Sequence, residues 1–177
     1  MVYFYSKRGN FKPAMFYATF LFVKKLKEKN KFDLFISHRA QVESFIYQYD
    51  GAFDQINRNL RSSKRSAVVL CDILFDIIGD LNQNKSFEEI LTRLQNQHNI
   101  VIESENANIE NGKRSELKSS SFISTALPTV PKCSICGGAI HTNSISMDHI
   151  VRKREGGTDS LSNVQITHPY CNTGYKN

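Results

Sequence analysis

The 177-residue sequence predicts an α+β chain: a helical bundle over residues 1–102, a linker over 103–131 and a small module over 132–177. Two observations carry this division. Through the first hundred residues, apolar side chains recur at the three-to-four-residue interval of a buried helix face. From Cys133 onward the pattern changes to two Cys/His pairs that bracket a short alternating run. That segment is rich in Ser, Thr, Asn and Gly and poor in large aliphatics, so it cannot easily bury a core and needs a metal to hold it.

Four helices are expected in the first half. Pro13 suits a first helical turn, and Met15, Phe16, Thr19, Phe20, Phe22, Val23 and Leu26 mark the apolar face of a helix running to about Lys29. A second helix is expected from about Ser37, as N-cap, to Leu60, with Val42, Phe45, Ile46, Tyr49, Phe53 and Ile56 on one face. The run AVVLCDILFDIIGDL places a third over about Ser63 to Leu81. A fourth starts at Ser86, where Ser86-x-x-Glu89 is a capping-box pattern ahead of Ile90, Leu91 and Leu94. Together they describe an antiparallel bundle whose aromatic stripes are core. Residues 103–131 mix Glu, Asn, Lys and Ser with little periodicity and read as a linker, with a short ordered piece at Phe122 to Leu127. At the start of the chain, Val2, Tyr3, Phe4 and Tyr5 read like the middle of a domain, which suggests a chain that begins partway through a larger architecture.

The net charge of +6 is uneven: +5 over residues 1–100 (15 basic against 10 acidic) and +1 over 101–177 (8 against 7). Long-range attraction for a polyanion would come mainly from the helical half. Three of the four Cys lie in the last forty-five residues beside His and Asp, a spacing that points to metal ligands in a reducing cytoplasm rather than disulfides. Cys71, alone in its apolar run, reads as a small buried hydrophobe. No apolar run reaches the roughly 18 residues of a membrane span, and no signal-peptide pattern is present.

The chemistry is concentrated in the last forty-five residues. Cys133-x-x-Cys136-Gly-Gly is a zinc knuckle, since two thiolates three positions apart can face one ion and the glycines permit the tight turn. His168-x-x-Cys171 completes a Cys₃His set for a structural Zn²⁺. Between the pairs, Ile145 to Ile150 alternates like a short strand and carries Asp148 and His149 to opposite faces. Asp148 is a hard oxygen donor suited to a magnesium-like ion, whereas His149 can remove a proton from water near neutral pH. Arg152, Lys153 and Arg154 could hold a nucleic-acid backbone without reading bases. The Gly156-Gly157 turn lets the following loop fold back, so that Asn163 can hydrogen-bond backbone near His149 and fix the imidazole; the alternative is a simple turn or helix cap. His141 reads as an exposed residue.

In order and spacing, these residues resemble the HNH endonuclease family across residues 133–177: a CxxC pair, Asp-His, a Gly-Gly loop with Asn, and a second knuckle followed by Asn. The resemblance implies a ββα-metal fold in which a hairpin delivers the Asp-His pair and a helix delivers the last ligand. It further implies that Asp148 and Asn172 hold a catalytic Mg²⁺ or Mn²⁺, that His149 is the general base and that Asn163 orients it. Asn172 stands where that family often has His, which makes an H-N-N variant. In a second register, His168 takes that place and leaves zinc with three thiolates, an incomplete set. The implied reaction is one-metal hydrolysis of a DNA phosphodiester, with RNA not distinguished.

The helical half, through YFYSKRGNFKPAMFYA and FDLFISHRAQVESFIYQYD, together with the terminal THPYCNTGYKN, looks like the C-terminal region of prokaryotic restriction and anti-phage proteins of the GmrSD type. That likeness implies a role in antiviral defence beside a nucleotide-hydrolysing partner or N-terminal domain. No nucleotide-binding motif of such a domain is present in the sequence.

Overall fold

The computed structural model describes residues 3–6, 8–101 and 114–175 of the chain, apart from the side chains of 115 and 116. Val2 and residues 103–113 of the expected linker lie outside the described residues. The described part contains six α-helices and one two-stranded sheet: α1 (Pro13–Glu28), α2 (Phe32–Gln48), α3 (Asp50–Leu60), α4 (Ser63–Asn82), α5 (Phe87–His98), α6 (Arg114–Thr129), β1 (Ser146–His149) and β2 (Val164–Thr167). The chain divides into two compact units, Met1–Pro128 and Thr129–Asn177.

In the first unit α4 is the central helix, packing most extensively on α1 and also on α2 and α3. Its faces supply Leu70, Ile73, Leu74, Ile77 and Ile78, all nearly inaccessible, and Cys71 is buried among them as a hydrophobe. Ser62 caps α4 by accepting from the Arg65 amide. Ser86 and Glu89 form the reciprocal capping box of α5, which removes two unsatisfied amides at once. The end of α4 is tied to α5 through Asp80, whose carboxylate takes Lys85 and Arg93 at 2.7 Å each.

Three expectations are corrected. The helix expected over Ser37–Leu60 starts at Phe32 and is broken at Tyr49, so α2 and α3 are separate. Ser37 lies inside α2 and donates its hydroxyl proton back to Leu34 rather than capping. The break sets buried Asp50 at the head of α3, where it pairs with Lys12, which also holds Asp54 at 2.8 Å. That tertiary attraction has no local sequence signature.

The expected apolar face of α1 is also partly exposed. Met15, Phe22 and Leu26 are buried with Ala14 and Ala18, whereas Phe16, Phe20 and Val23 face solvent. Two alanines on the inner face let α4 approach closely, and the larger aromatics are left on the flank, where Phe16 stacks with Phe4, Phe11 and Tyr17. Finally, the stretch expected as a linker is helical over Arg114–Thr129. Ile123 anchors α6 by burial, and Gly9, at φ +79°, lets the N-terminal turn come close to Ser119.

The second unit is built on a hairpin. β1 and β2 pair antiparallel with Ser146 opposite Thr167 and Asp148 opposite Gln165, and the loop 150–163 joins them. A π-helical turn, Cys171–Tyr175, follows and touches β1. The described residues include no helix long and apolar enough to cross a membrane.

Candidate metal centre and active site

The first Cys pair is shaped by a tight turn. The Cys133 amide donates to Gly138, the Gly137 amide returns to Cys133, and Gly137 takes φ +68°, a conformation that favours glycine. The Ser134 amide and hydroxyl both donate to Ile166, which fastens this knuckle to β2. Cys133, Cys136, His168 and Cys171 are all buried, and their ligand atoms lie within 4.8 Å of one another. The His168 Nδ1 is 3.4 Å from the Cys136 sulfur and 3.9 Å from that of Cys171. A tetrahedron with metal–sulfur bonds of about 2.3 Å has edges of roughly 3.7 Å, so these spacings suit Zn²⁺.

The neighbouring hydrogen bonds agree with that fit. His168 Nε2 faces the Ala139 carbonyl at 3.1 Å; a carbonyl can only accept, so the proton sits on Nε2 and the Nδ1 lone pair points into the sulfur cluster. Burial acts to raise the Cys133 thiol, but hydrogen bonds from the Cys136, His168 and Ile135 backbone outweigh it and hold the thiol below its usual range. Cys171 goes the other way: burial first, then repulsion from Cys136 and Cys133, pushes it up. Three thiolates brought together here would repel one another, and a divalent ion bound by them would remove that repulsion.

The Asp-His pair sits at the end of β1. Asp148 is buried and accepts from Gln165 Nε2 at 2.8 Å, across the hairpin. His149 is partly exposed, with Nε2 at 2.7 Å from Asp159 Oδ1, and Lys153 holds the other oxygen of that carboxylate at 2.7 Å. Those two hydrogen bonds, from Lys153 and then His149, keep the Asp159 carboxyl below its usual range. Asp159 is a residue that the sequence does not single out, because nothing in a spacing of ten residues across a loop announces such a contact.

Asn163 is buried and fully engaged. Its Oδ1 accepts from the Val151 amide at 2.8 Å, and its Nδ2 donates to the Val151 and Thr158 carbonyls at 3.0 and 2.9 Å. It therefore ties the start of the loop, two residues beyond His149, to the turn at Thr158. Gly157 is what makes the clamp possible, since a Cβ there would lie 1.8 Å from the Val151 oxygen.

Asn172 follows Cys171 directly, and its Nδ2 donates to Ser146 Oγ at 2.8 Å and to the Met147 carbonyl at 3.0 Å. A carbonyl partner fixes the orientation of the amide and turns Oδ1, the end able to bind a cation, the other way. Met147, Asp148, His149, Arg152, Lys153, Arg154, Asn172 and Thr173 line one open cavity of about 410 Å³. Asp148 and His149 thus share a cavity wall although they alternate along the strand. His141 is exposed, and its ring accepts from the Asn143 amide in a local turn.

A family model described as HNH endonuclease matches residues 133–177. This segment is an HNH domain. No curated protein and no solved structure matches the chain. The HNH domain coincides with the hairpin, its loop and the metal cluster, and the family description is that of a nuclease. Residues 169–175 are helical, and Cys171 and Asn172 open the π-helical part of that segment. His168 stands in the sulfur cluster, as the register with four zinc ligands requires.

Proposed function

We propose that the chain is a divalent-metal-dependent HNH endonuclease that hydrolyses DNA phosphodiester bonds. The observation that carries this reading is a cavity lined together by Asp148, His149, Asn172, Arg152, Lys153 and Arg154. A non-catalytic zinc ribbon has no need of that combination.

In this reading Asp148 and Asn172 Oδ1 hold a Mg²⁺ or Mn²⁺ ion. When bound, such an ion supplies Lewis-acid stabilisation of charge on the phosphate and on the departing 3′ oxygen. His149 takes a proton from the attacking water, whose oxygen forms the new bond to phosphorus as the bond to the 3′ oxygen breaks. The products carry 5′-phosphate and 3′-hydroxyl ends. Arg152, Lys153 and Arg154 draw the backbone in, and Asn163 keeps the loop that bears them closed. The cluster of Cys133, Cys136, His168 and Cys171 holds Zn²⁺ as a structural ion. We place the activity in the cytoplasm, where thiols stay reduced, and in bacterial restriction or anti-phage defence, on the sequence pattern of the helical half alone, which reads like that of GmrSD-type proteins.

The test is plasmid cleavage with Mg²⁺ or Mn²⁺ by the wild type and by His149→Ala. Nicked or linear product is expected from the wild type, with a loss of about 10²- to 10⁴-fold in the variant. Cleavage that survives the substitution would assign it to another site or a contaminant. A pure, zinc-loaded wild type that binds DNA without cutting it would favour the zinc-ribbon reading.

A further inference from the structure

We infer that Asp159 is a positioning residue that selects the tautomer and orientation of His149; the inference deepens the nuclease reading and rests on it for its catalytic consequence. Both oxygens of this carboxylate are committed, one to His149 Nε2 at 2.7 Å and the other to Lys153 Nζ at 2.7 Å. An ionised carboxylate only accepts, so the imidazole proton must sit on Nε2. The nitrogen left with a lone pair is Nδ1, and that is the atom able to take a proton from water. Lys153 neutralises the carboxylate, so that the dyad adds little net repulsion toward a phosphate.

The geometry also explains how Asn163, whose side chain bonds to backbone at Val151 and Thr158, can act on the imidazole. Asn163 Nδ2 holds the Thr158 carbonyl at 2.9 Å, and the next residue is Asp159. Gly157, pressed against Val151, fixes the other side of the same turn. A continuous path therefore runs from the Asn163 amide through the Thr158 backbone and the Asp159 carboxylate to His149. The surface position of Asp159, with a side chain 62% exposed, makes the pairing weak as a source of stability. Its consequence is directional: it chooses which nitrogen bears the proton.

The experiment is imidazole ¹⁵N NMR on the full, zinc-loaded chain, at a pH about two units above the ordinary imidazole value of roughly 6.5. His149→Gln identifies the resonances of His149. The wild type is expected to be mainly the Nε2–H tautomer. Asp159→Ala should move it toward a mixture. Asp159→Asn should go further, because Lys153 keeps the amide oxygen and the amide nitrogen then donates to the imidazole, forcing the Nδ1–H form. In cleavage assays kcat should fall by roughly 10- to 100-fold in both variants with little change in KM. A wild-type His149 in the Nδ1–H form, or a tautomer indifferent to both substitutions, overturns the proposal. So does a rise in KM with kcat unchanged, which would assign Asp159 to substrate binding through Lys153. If the wild type does not cleave DNA, the nuclease reading fails, while the resonances still decide the positioning claim.

Discussion

Adjacent glycines 156 and 157 should respond very differently to the same substitution. At Gly157 a Cβ would sit 1.8 Å from the Val151 oxygen, 2.7 Å from its carbon and 2.8 Å from Asn163 Nδ2, whereas real Cβ atoms essentially never approach a neighbour within 3.0 Å. The Val151 carbonyl would have to retreat by 1.2 Å, the difference between 3.0 and 1.8. That movement breaks the bond from Asn163 Nδ2 to Val151, disturbs the reverse bond from the Val151 amide, and strains the Gly157 amide bond to Arg152. Three hydrogen bonds at the usual net value amount to roughly 2–4 kcal/mol. Gly156 has φ +90° and open space where a Cβ would go, so alanine there costs only backbone strain of about 1–2 kcal/mol. Urea melts of the zinc-loaded variants, with hydrogen exchange at the Val151 amide, separate the two. Gly157→Ala should show the larger loss of stability and fast exchange at Val151. Equal losses with Val151 protection intact would refute the argument that the loop is clamped through this close approach.

Removing zinc with a chelator, or replacing His168 by Ala, should unfold residues 129–177 and leave the helical signal of the first unit largely unchanged, as read by circular dichroism and metal analysis. Because the thiols must lose protons to bind metal, and burial with neighbouring sulfurs raises Cys171, zinc uptake should release protons and weaken as pH falls, which calorimetry in buffers of different ionisation enthalpy measures. Changing Arg152 and Arg154 together to Gln should lower the slope of log affinity against log salt by up to about 1.8, at about 0.9 for each phosphate no longer neutralised, as read by fluorescence anisotropy. Phe22→Ala, which empties a site 1% exposed between helices of the first unit, should cost about 3–5 kcal/mol in a denaturant melt without altering zinc content.

Features fixed by neighbours in the chain are legible in the sequence. Ser86 and Glu89 cap one another over three residues, and both Cys/His pairs declare their spacing locally, so α5 and the metal cluster can be read in advance. What escapes depends on distant partners. Tyr49 breaks the expected long helix where Asp50 meets Lys12, across 38 positions. The segment Arg114–Thr129 lacks an obvious apolar stripe because, among its described side chains, Ile123 alone is buried. The α1 face misleads because Phe16 and Phe20 outweigh Ala14 and Ala18 in hydrophobicity, while close helix packing selects for small size. Asp148, His149, Asn163 and Asn172 stand out from order alone, and three of them line one cavity, whereas the pairing of Asp159 with His149 has no local signature.

Cys171 and Asn172 are consecutive, yet one faces the sulfur cluster and the other the open cavity. With only one peptide bond between them, the size of an ion held by the cluster would bear on the placement of the carboxamide. Substituting a bulkier thiophilic ion such as cadmium, with its longer sulfur bonds, would leave the domain folded while displacing Asn172 from its seat on Ser146 and Met147. Under the proposed nuclease reading, the wrong ion would therefore leave the domain folded but lower its cutting efficiency through a displaced carboxamide.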